Sequence, residues 1–226
     1  MSDHDLPELA DLRREYAAGG LDEDGLALDP VTMFRRWLDD ATTAGLHEPN
    51  AMVVATASPD GTPSARLVLL KGLDDRGFVF FTNYASRKGT ELVSNPACAL
   101  LFPWHDLERQ VRVDGRATAL TKDENARYFG TRPRDSQVGA WASPQSRVVG
   151  SRAELDTRYD AASTRFAEGG DVPLPPEWGG FRVAPEAVEF WQGRRGRMHD
   201  RLRYRRISRG SVPGSGQGWV VERLAP

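Results

Sequence analysis

The feature that most constrains the fold is a series of short apolar runs between Arg66 and Asp114. The runs are Leu67–Leu70, Phe78–Phe81 and Ala97–Phe102, and they are rich in β-branched and aromatic residues. Turn or helix signals separate them. This pattern predicts the buried strands of a barrel or a sandwich.

Two cations occupy the start of a short predicted helix. Ser86 is a favourable N-cap for the pattern Arg87–Ser94, so Arg87 and Lys88 fall in its first turn. A helix start offers unpaired backbone N–H groups and the positive end of the helix dipole. The pair therefore predicts a site for an anion such as phosphate, although most such pairs are solvated surface charges.

Lysine is rare in this chain. There are 3 lysines, Lys71, Lys88 and Lys122, against 27 arginines, so arginine serves wherever a generic cation suffices. An ammonium is a compact charge with rotatable donors, which a planar guanidinium does not replace at a tight phosphate site. We therefore interpret Lys71 and Lys88 as functional.

Composition narrows the class of protein. The formal net charge of −2 and the pI near 6.1 argue against a globally basic binder of nucleic acid or membranes. No apolar run reaches the roughly 18 residues of a membrane span, and the first residues lack the apolar centre of a signal peptide. A single cysteine, Cys98, excludes intrachain disulfides and thiolate metal clusters. We expect a cytoplasmic protein without a metal site.

Helix and strand signals alternate along the chain. Residues 1–28 are polar and predict a mobile N-terminal arm, whereas residues 29–226 are expected to form one domain. Asp29 and Pro30 begin a helix that ends at Gly45. On a strand predicted at 63–72, the period of two places Arg66 and Lys71 on opposite faces. The other predicted elements are strands 52–57, 78–82, 97–104, 109–121, 180–184, 187–192, 202–207 and 218–223, and helices 122–130 and 151–168. Thr121 and Glu124 form a capping box that opens the helix 122–130.

Three polar residues recur at a spacing of four: Tyr128, Arg132 and Ser136. They would share one helix face if the helix continued past Pro133, which should break it. Such residues are common around phosphates. Polar residues on a surface helix are the equal alternative, and the sequence leaves both interpretations open. Gln110, near the start of a strand, offers an amide for the edge of a heterocycle.

Seven arginines lie between residues 194 and 206. Such a stripe fits nucleic-acid binding with salt-dependent affinity. Leu202, Tyr204 and Ile207 alternate with the arginines, however, and the chain is acidic overall, so a ligand-facing strand is favoured. His199 beside Arg197 places a titratable imidazole next to a fixed cation, which makes it a candidate catalytic group, although an isolated histidine is more often structural.

Taken together, a series of motifs in order resembles the pyridoxine/pyridoxamine 5′-phosphate oxidase family. The motifs are RLVLLK (66–71), FFTN and SRKG (80–89), LLFPW and ERQV (100–111), TRPRDSQVGAW (131–141), QS (145–146), PLP and WGGFRV (173–183), EFWQG (189–193), R-x-HDR (197–201) and the terminal ERLAP. No single motif is diagnostic, but together they span nearly the whole chain. The resemblance implies an α+β fold, an antiparallel Greek-key split β-barrel with surrounding helices, working as a homodimer with FMN at the interface.

The resemblance also implies site residues and a reaction. FMN would contact Arg66, Leu67, Val68, Leu69, Leu70, Lys71, Phe81, Thr82, Arg87, Lys88, Gln110, Gln145, Ser146, Trp191 and Arg201. The substrate would contact Arg13, Arg14, Glu15, Tyr16, Lys71, Tyr128, Arg132, Ser136, Arg197, Met198 and His199, with Arg197 and His199 as the catalytic pair. The implied reaction is FMN-dependent oxidation of pyridoxamine or pyridoxine 5′-phosphate by oxygen to pyridoxal 5′-phosphate, with hydrogen peroxide and, from the amine, ammonia.

Other functions remain open at this point. A split-barrel reductase using reduced nicotinamide would keep the flavin cations but would not need Lys71, Tyr128, Arg132 and Ser136. A non-catalytic FMN- or haem-binding protein and an arginine-stripe nucleic-acid binder are the alternatives from other classes.

Overall fold

The computed structural model describes residues 15–16, 19–167, 169–207 and 218–226. The chain divides into two compact units. The first unit takes in Met1–Leu46, Pro103–Val111 and Glu189–Pro226, and the second takes in His47–Phe102 and Arg112–Val188. The division into an arm and one domain expected from the sequence stays a prediction, because compactness alone does not test independent folding.

Helices and strands are mixed along the described residues. The helices are α1 Pro30–Thr43, α2 Arg87–Ser94, α3 Lys122–Gly130, α4 Arg134–Ala142 and α5 Arg152–Arg165. The strands are β1 Ala51–Ala57, β2 Pro63–Leu69, β3 Gly72–Asp74, β4 Gly77–Asn83, β5 Ala97–Trp104, β6 Arg109–Ala119, β7 Trp178–Gln192, β8 Asp200–Arg206 and β9 Trp219–Arg223. Within this described part of the chain, no helix has both the length and the apolar character needed to cross a membrane.

The strands of the described residues form a nine-stranded sheet. Its strand order is β2-β1-β5-β6-β7-β4-β3, and β8 pairs with β7 and β9. The pairs β1–β2, β1–β5, β3–β4 and β4–β7 are antiparallel. The inward side chains of the apolar runs form the core, where Val54, Phe78, Phe80, Phe102 and Val183 are fully buried. The short strands predicted from these runs are confirmed. Their predicted burial holds for Phe78–Phe80, whereas the run Leu67–Leu70 lies at the end of a partly exposed strand, with Leu67 69% exposed.

Local capping explains where the helices begin. The Asp29 carboxylate accepts hydrogen bonds from the backbone N–H groups of Val31 and Thr32, both at 2.9 Å, so α1 starts at Pro30 as predicted. A cap of this kind contributes about 1 kcal/mol to stability. The predicted capping box of Thr121 and Glu124 opens α3, and Ser86 caps α2.

The strand predicted at 63–72 is wrong. β2 ends at Leu69 and β3 begins at Gly72. Between them the Leu70 N–H donates to the Asn50 carbonyl at 2.9 Å, and the Lys71 N–H donates to the Val79 carbonyl at 2.8 Å. Because Lys71 has left the strand that holds Arg66, the opposite-face argument for these two cations does not apply.

Two further expectations from the sequence need correction. The strands predicted at 180–184 and 187–192 form one continuous strand, β7. Residues after Pro133 form α4, which the sequence pattern did not predict. Pro133 does break the preceding helix, as expected, because its ring cannot continue the hydrogen-bond ladder.

Candidate active site

The main candidate site is a pocket of about 480 Å³ in the second unit, called here the anion pocket. Its lining comes from β2, β4, α2, the α3–α4 connection and the start of β7. The lining residues are Leu67, Val68, Leu69, Lys71, Phe81, Thr82, Lys88, Tyr128, Thr131, Arg132, Pro133, Ser136, Gln145 and Trp178. None of these described residues is acidic. Three cations, Lys71, Lys88 and Arg132, therefore line a cavity without a carboxylate in its wall.

Lys88 is the buried cation of the anion pocket, with only 8% of its surface exposed. Its Nζ donates to Gln145 Oε1 at 2.9 Å, to Thr82 Oγ1 at 3.0 Å and to Ser86 Oγ at 3.3 Å. All three acceptors are neutral. Burial, with a smaller contribution from Arg66, lowers the pKa of Lys88 to about 8. An anion that entered the pocket would supply the countercharge that this ammonium lacks.

The turn before α2 brings Lys88 into position. The Ser86 side chain accepts from the Gly89 N–H at 3.3 Å, which fixes the first turn of the helix. Gly89 is required there because a Cβ would overlap the carbonyl oxygen of Tyr84. This close approach of α2 to the end of β4 places Lys88 beside Thr82.

A buried carboxylate, Glu91, organises the neighbouring arginines. Its oxygens accept from Thr56 Oγ1 at 2.5 Å, Ser64 Oγ at 2.6 Å and Arg87 Nε at 2.9 Å. Arg66 Nη2 lies 3.7 Å from Glu91 Oε2. These bonds from hydroxyl and guanidinium groups outweigh burial and lower the pKa of Glu91 to about 2. Glu91 therefore ties two predicted phosphate-binding arginines to β1 and β2.

We expect Glu91→Gln to reduce the free energy of unfolding by about 2 kcal/mol at neutral pH, because the partly buried Arg66 loses its countercharge. The folded-state pKa of Glu91 lies below the ordinary value of 4.5, so this contribution is present above pH 4.5 and is lost as pH falls toward 2. Urea unfolding of the wild type and the variant at several pH values measures the difference in their free energies of unfolding. This difference should narrow on acidification, and a difference independent of pH would contradict the role given to the Glu91 carboxylate. Glu177→Gln, at an exposed position, is the control.

Arg132 enters the anion pocket from the α3–α4 connection. It is partly buried, and burial lowers the pKa of its guanidinium. Its Nη1 atom is buried and donates no hydrogen bond to any described residue. The guanidinium carbon lies 4.9 Å from the Trp178 ring centroid and 5.6 Å from that of Phe129. A buried donor without a partner is costly, which indicates a missing acceptor in the pocket.

Three aromatic rings form one wall of the anion pocket. The ring centroids of Phe81 and Tyr128 are 3.9 Å apart with planes 10° apart, and Phe81 and Trp178 are 5.2 Å apart at 9°. Burial raises the pKa of the Tyr128 hydroxyl, so Tyr128 stays a neutral donor. Although the helix breaks at Pro133, the structure brings Tyr128, Arg132 and Ser136 into the same pocket.

A second cluster of predicted residues lies in the first unit. The ring centroid of Tyr16 is 5.7 Å from that of Trp191 and 5.4 Å from that of His199, and both pairs meet edge to face. Trp191 and His199 are 4.6 Å apart. His199 Nδ1 accepts the backbone N–H of Arg194 at 3.1 Å. Neutral His199 therefore carries its proton on Nε2.

The turn before His199 has an unusual backbone. Gly196 has φ 64° and Arg197 has φ 61°, so two consecutive residues are left-handed. Arginine in this conformation is strained, and such strain is concentrated at functional sites. The Arg197 side chain is exposed.

The other predicted site residues are placed as follows. Arg201 is held by Glu189 through two bonds of 2.8 and 3.2 Å and by the Ala225 carbonyl at 2.9 Å. Gln110 is half-buried in β6. The remaining members, which do not line the anion pocket, are Glu15 (exposed), Met198 (67% exposed), Ser146 (exposed, φ 69°) and Leu70 (buried). Arg13 and Arg14 lie outside the described residues.

Most arginines of the C-terminal stripe are engaged within the chain. Arg203 and Arg205 share Glu222, and Arg206 stacks over Trp219 at 4.6 Å. Arg194 pairs with Asp200. Guanidinium groups that already bond to carboxylates of the chain have fewer donors left for phosphates, so the structure gives no support to a nucleic-acid interface here.

The sequence interpretation missed Glu91 and gave no role to Trp178. The only sequence signal for Glu91 is its spacing of four from Arg87, which allows a helical ion pair. Trp178 was part of a recognised motif, but its contact with Arg132 depends on the fold.

Comparisons with known proteins show which family the chain resembles. A family model described as "Pyridoxamine 5'-phosphate oxidase" matches residues 38–166, and one described as "Pyridoxine 5'-phosphate oxidase C-terminal dimerisation region" matches residues 178–226. The chain is 59% identical over 219 residues to the pyridoxine/pyridoxamine 5′-phosphate oxidase of Nocardioides sp., covering 97% of this chain and 98% of that one. It is 56% identical over 221 residues to that of Salinibacter ruber, covering 98% and 100%.

Solved structures show the same fold. PhzG from Burkholderia lata, in complex with tetrahydrophenazine-1-carboxylic acid, has a TM-score of 0.82 and 32% identity, and the match covers 92% of this chain and 99% of that one. An FMN-binding protein related to pyridoxamine 5′-phosphate oxidase, from Nostoc punctiforme, has a TM-score of 0.66 and 16% identity, covering 89% and 100%. The predicted split-barrel fold is confirmed. The two family models and the relatives at 56% and 59% identity establish that the chain belongs to the pyridoxine/pyridoxamine 5′-phosphate oxidase family.

Proposed function

We propose that this protein oxidises pyridoxine 5′-phosphate and pyridoxamine 5′-phosphate to pyridoxal 5′-phosphate, in the cytoplasm, as part of vitamin B6 metabolism. The high identity to relatives of that name supports the activity. The observation in the molecule that carries the proposal is the anion pocket, where Lys71, Lys88 and Arg132 face a cavity without an acidic residue among its described lining. Such a pocket fits phosphate monoesters.

The proposed cofactor is FMN, and the donor set of the second unit fits its phosphate. Lys88 has only neutral acceptors, and it stands in the first turn of α2, where backbone N–H groups and the dipole also favour an anion. Arg66 and Arg87, fixed by Glu91, add positive charge nearby. When bound, FMN supplies two-electron chemistry and returns the electrons to oxygen. The remaining proposed FMN contacts are Leu67, Val68, Leu69, Leu70, Lys71, Phe81, Thr82, Gln110, Gln145, Ser146, Trp191 and Arg201.

The substrate phosphate is assigned to Lys71, Tyr128, Arg132 and Ser136. Each supplies a donor, and Arg132 Nη1 has no protein acceptor among the described residues. Binding of the phosphate restricts where the rest of the substrate can lie, because only a few rotatable bonds join the phosphate to the ring and its exocyclic carbon. The resemblance extends this proposal to Glu15, Tyr16 and Met198, and to Arg13 and Arg14.

Arg197 and His199 are the proposed catalytic pair. His199 Nδ1 accepts a hydrogen bond from the backbone N–H of Arg194. The Nε2 atom is therefore the one that donates to, or exchanges a proton with, a polar group of the substrate. Arg197 supplies a fixed positive charge that can orient the ring. Tyr16 packs against His199 and limits the freedom of the imidazole.

The proposed reactions balance with oxygen as the acceptor. Pyridoxine 5′-phosphate and oxygen give pyridoxal 5′-phosphate and hydrogen peroxide. Pyridoxamine 5′-phosphate, oxygen and water give the same two products and ammonia.

We also propose a homodimer with FMN at the subunit interface. The match of residues 178–226 to a dimerisation region supports the dimer. Leu67 lines the anion pocket, yet 69% of its surface is exposed in the single chain, which suits a residue covered by another subunit.

The decisive assay is formation of pyridoxal 5′-phosphate from each substrate by the FMN-loaded protein, with and without oxygen. We expect one peroxide per product and no turnover when oxygen is removed. Oxidation of reduced nicotinamide with no pyridoxal 5′-phosphate would instead identify a reductase. A red haem-loaded protein, or a flavoprotein without either activity, would identify a binding protein.

We expect FMN affinity of the flavin-free protein to fall above about pH 8, because Lys88 then loses its proton. A bound phosphate favours the charged ammonium, so the dissociation constant should rise by up to about tenfold per pH unit. Quenching of flavin fluorescence at a series of pH values measures the constant. The Lys88→Met variant should lack this slope, and a slope that persists in it would exclude Lys88 as the source.

A further inference from the structure

Trp178 lies behind Arg132 in the wall of the anion pocket. It is 7% exposed and begins β7, paired in register with Asn83 of β4. Its backbone N–H donates to the Pro175 carbonyl at 3.1 Å. Phe81 stacks parallel to the indole at 5.2 Å, and Phe129 meets it edge to face at 5.0 Å. The indole therefore has a fixed position and a fixed plane.

Arg132 has little else to hold it. Its backbone N–H donates to the Phe129 carbonyl at 3.1 Å, but it lies between the end of α3 and the start of α4, outside any helical ladder. Among the described residues no carboxylate pairs with it, and Nη1 has no acceptor. The guanidinium carbon lies over two aromatic rings, with the Trp178 ring centroid nearer at 4.9 Å and that of Phe129 at 5.6 Å. The π-face of tryptophan is the best of the aromatic side chains at attracting a cation.

We propose that Trp178 is a positioning residue for the substrate phosphate: its indole face holds the Arg132 guanidinium in place at the wall of the anion pocket, where Nη1 lacks a protein acceptor among the described residues. This rests on the proposed function, which assigns Arg132 to the substrate phosphate. An arginine ordered before binding loses less side-chain freedom when the phosphate arrives, so affinity rises without a new contact. Trp178 thus acts on phosphate recognition and not on the chemical step.

The test compares Trp178→Leu, Trp178→Phe and Val172→Ala. Val172 belongs to the same buried cluster as Trp178 and Phe129, so its variant controls for a loosened core. With saturating FMN, Trp178→Leu should raise KM for pyridoxamine 5′-phosphate about tenfold and weaken pyridoxal 5′-phosphate binding equally. Its kcat should change less than about twofold, Trp178→Phe should be intermediate, and Val172→Ala should match the wild type. Unchanged KM in Trp178→Leu, or an equal rise in Val172→Ala, would overturn the proposal.

A double-mutant cycle decides the matter if Trp178→Leu does not fold. Trp178→Phe should raise KM in the wild-type background and leave it unchanged in the Arg132→Met background, because the effect passes through the guanidinium. The same effect in both backgrounds, or none in either, would refute the role of Trp178. Failure of the wild type to form pyridoxal 5′-phosphate would be a different result, since it would reject the proposed function itself.

Discussion

Replacing Lys88 by methionine should weaken FMN binding by about 100-fold, the cost of losing a charge-assisted hydrogen bond to a phosphate. Methionine keeps the length and apolar volume of the side chain, so the change removes the ammonium and little else. The neutral acceptors Thr82, Ser86 and Gln145 can each pair with one another or with water once Nζ is gone. The effect therefore falls on the ligand and not on the fold.

The stability of the flavin-free protein provides the internal check. Burial lowers the pKa of Lys88 to about 8, below its ordinary value of 10.5, so the folded state disfavours the charged form. At neutral pH the folded wild type bears the free-energy cost of a charged, buried ammonium, and the Lys88→Met variant does not. The variant should accordingly melt no lower than the wild type without flavin, even though it binds FMN poorly.

Fluorescence titration of the flavin-free proteins with FMN measures the loss, and Lys122→Met is the matched control. Lys122 is the exposed first residue of α3 and receives the same substitution. It should bind FMN like the wild type. Equal affinity in the Lys88 and Lys122 variants would remove Lys88 from the cofactor site.

Lys88 also shows what local sequence signals can predict. Ser86 as an N-cap is a short-range feature, and the helix begins where Ser86 places it. The cap at Asp29 and the capping box at Thr121 succeed for the same reason. Each depends on residues within one turn of the chain, where backbone hydrogen bonding leaves few alternatives.

Lys71 shows where that reasoning ends. The apolar run before it suits one long strand, but the chain changes partner from β1 to β4 at Leu70 and Lys71. Which strand lies alongside is a property of the whole sheet, and the alternation of side chains does not record it. Lys71 still lines the anion pocket, but not for the reason given by its spacing from Arg66.

The residues that support the site were not predicted, because their contacts join positions far apart in the sequence. Glu91 meets Thr56 and Ser64, which are 35 and 27 residues away. In the C-terminal part, Glu222 pairs with both Arg203 and Arg205 across the β8–β9 hairpin. Because the sequence does not reveal this pairing, nucleic-acid binding stays open there as the less favoured alternative to a ligand-facing strand. Charge type can be read from the sequence, whereas neutralisation depends on the fold.

Replacing Arg197 by methionine should lower kcat by about 100-fold while leaving FMN affinity unchanged, because a charge placed against the reacting ring acts on orientation and electrostatics. The left-handed turn at Gly196 and Arg197 supports this assignment. A non-glycine residue in that conformation costs about 1 kcal/mol or more, and glycine would avoid the cost. Retaining arginine there is consistent with a use for its side chain.

Arg195→Met separates this role from a general loss of positive charge. Arg195 lies in the same turn and is exposed like Arg197, but only Arg197 has the left-handed backbone and belongs to the proposed site. Both substitutions remove one charge and keep the side-chain length, and methionine preserves the backbone strain at position 197. Steady-state rates with pyridoxamine 5′-phosphate at saturating FMN should therefore fall in the Arg197 variant alone. An equal fall in both variants would show that the rate depends on the charge of the turn and not on the position of the guanidinium. An unchanged rate in Arg197→Met would remove Arg197 from the mechanism.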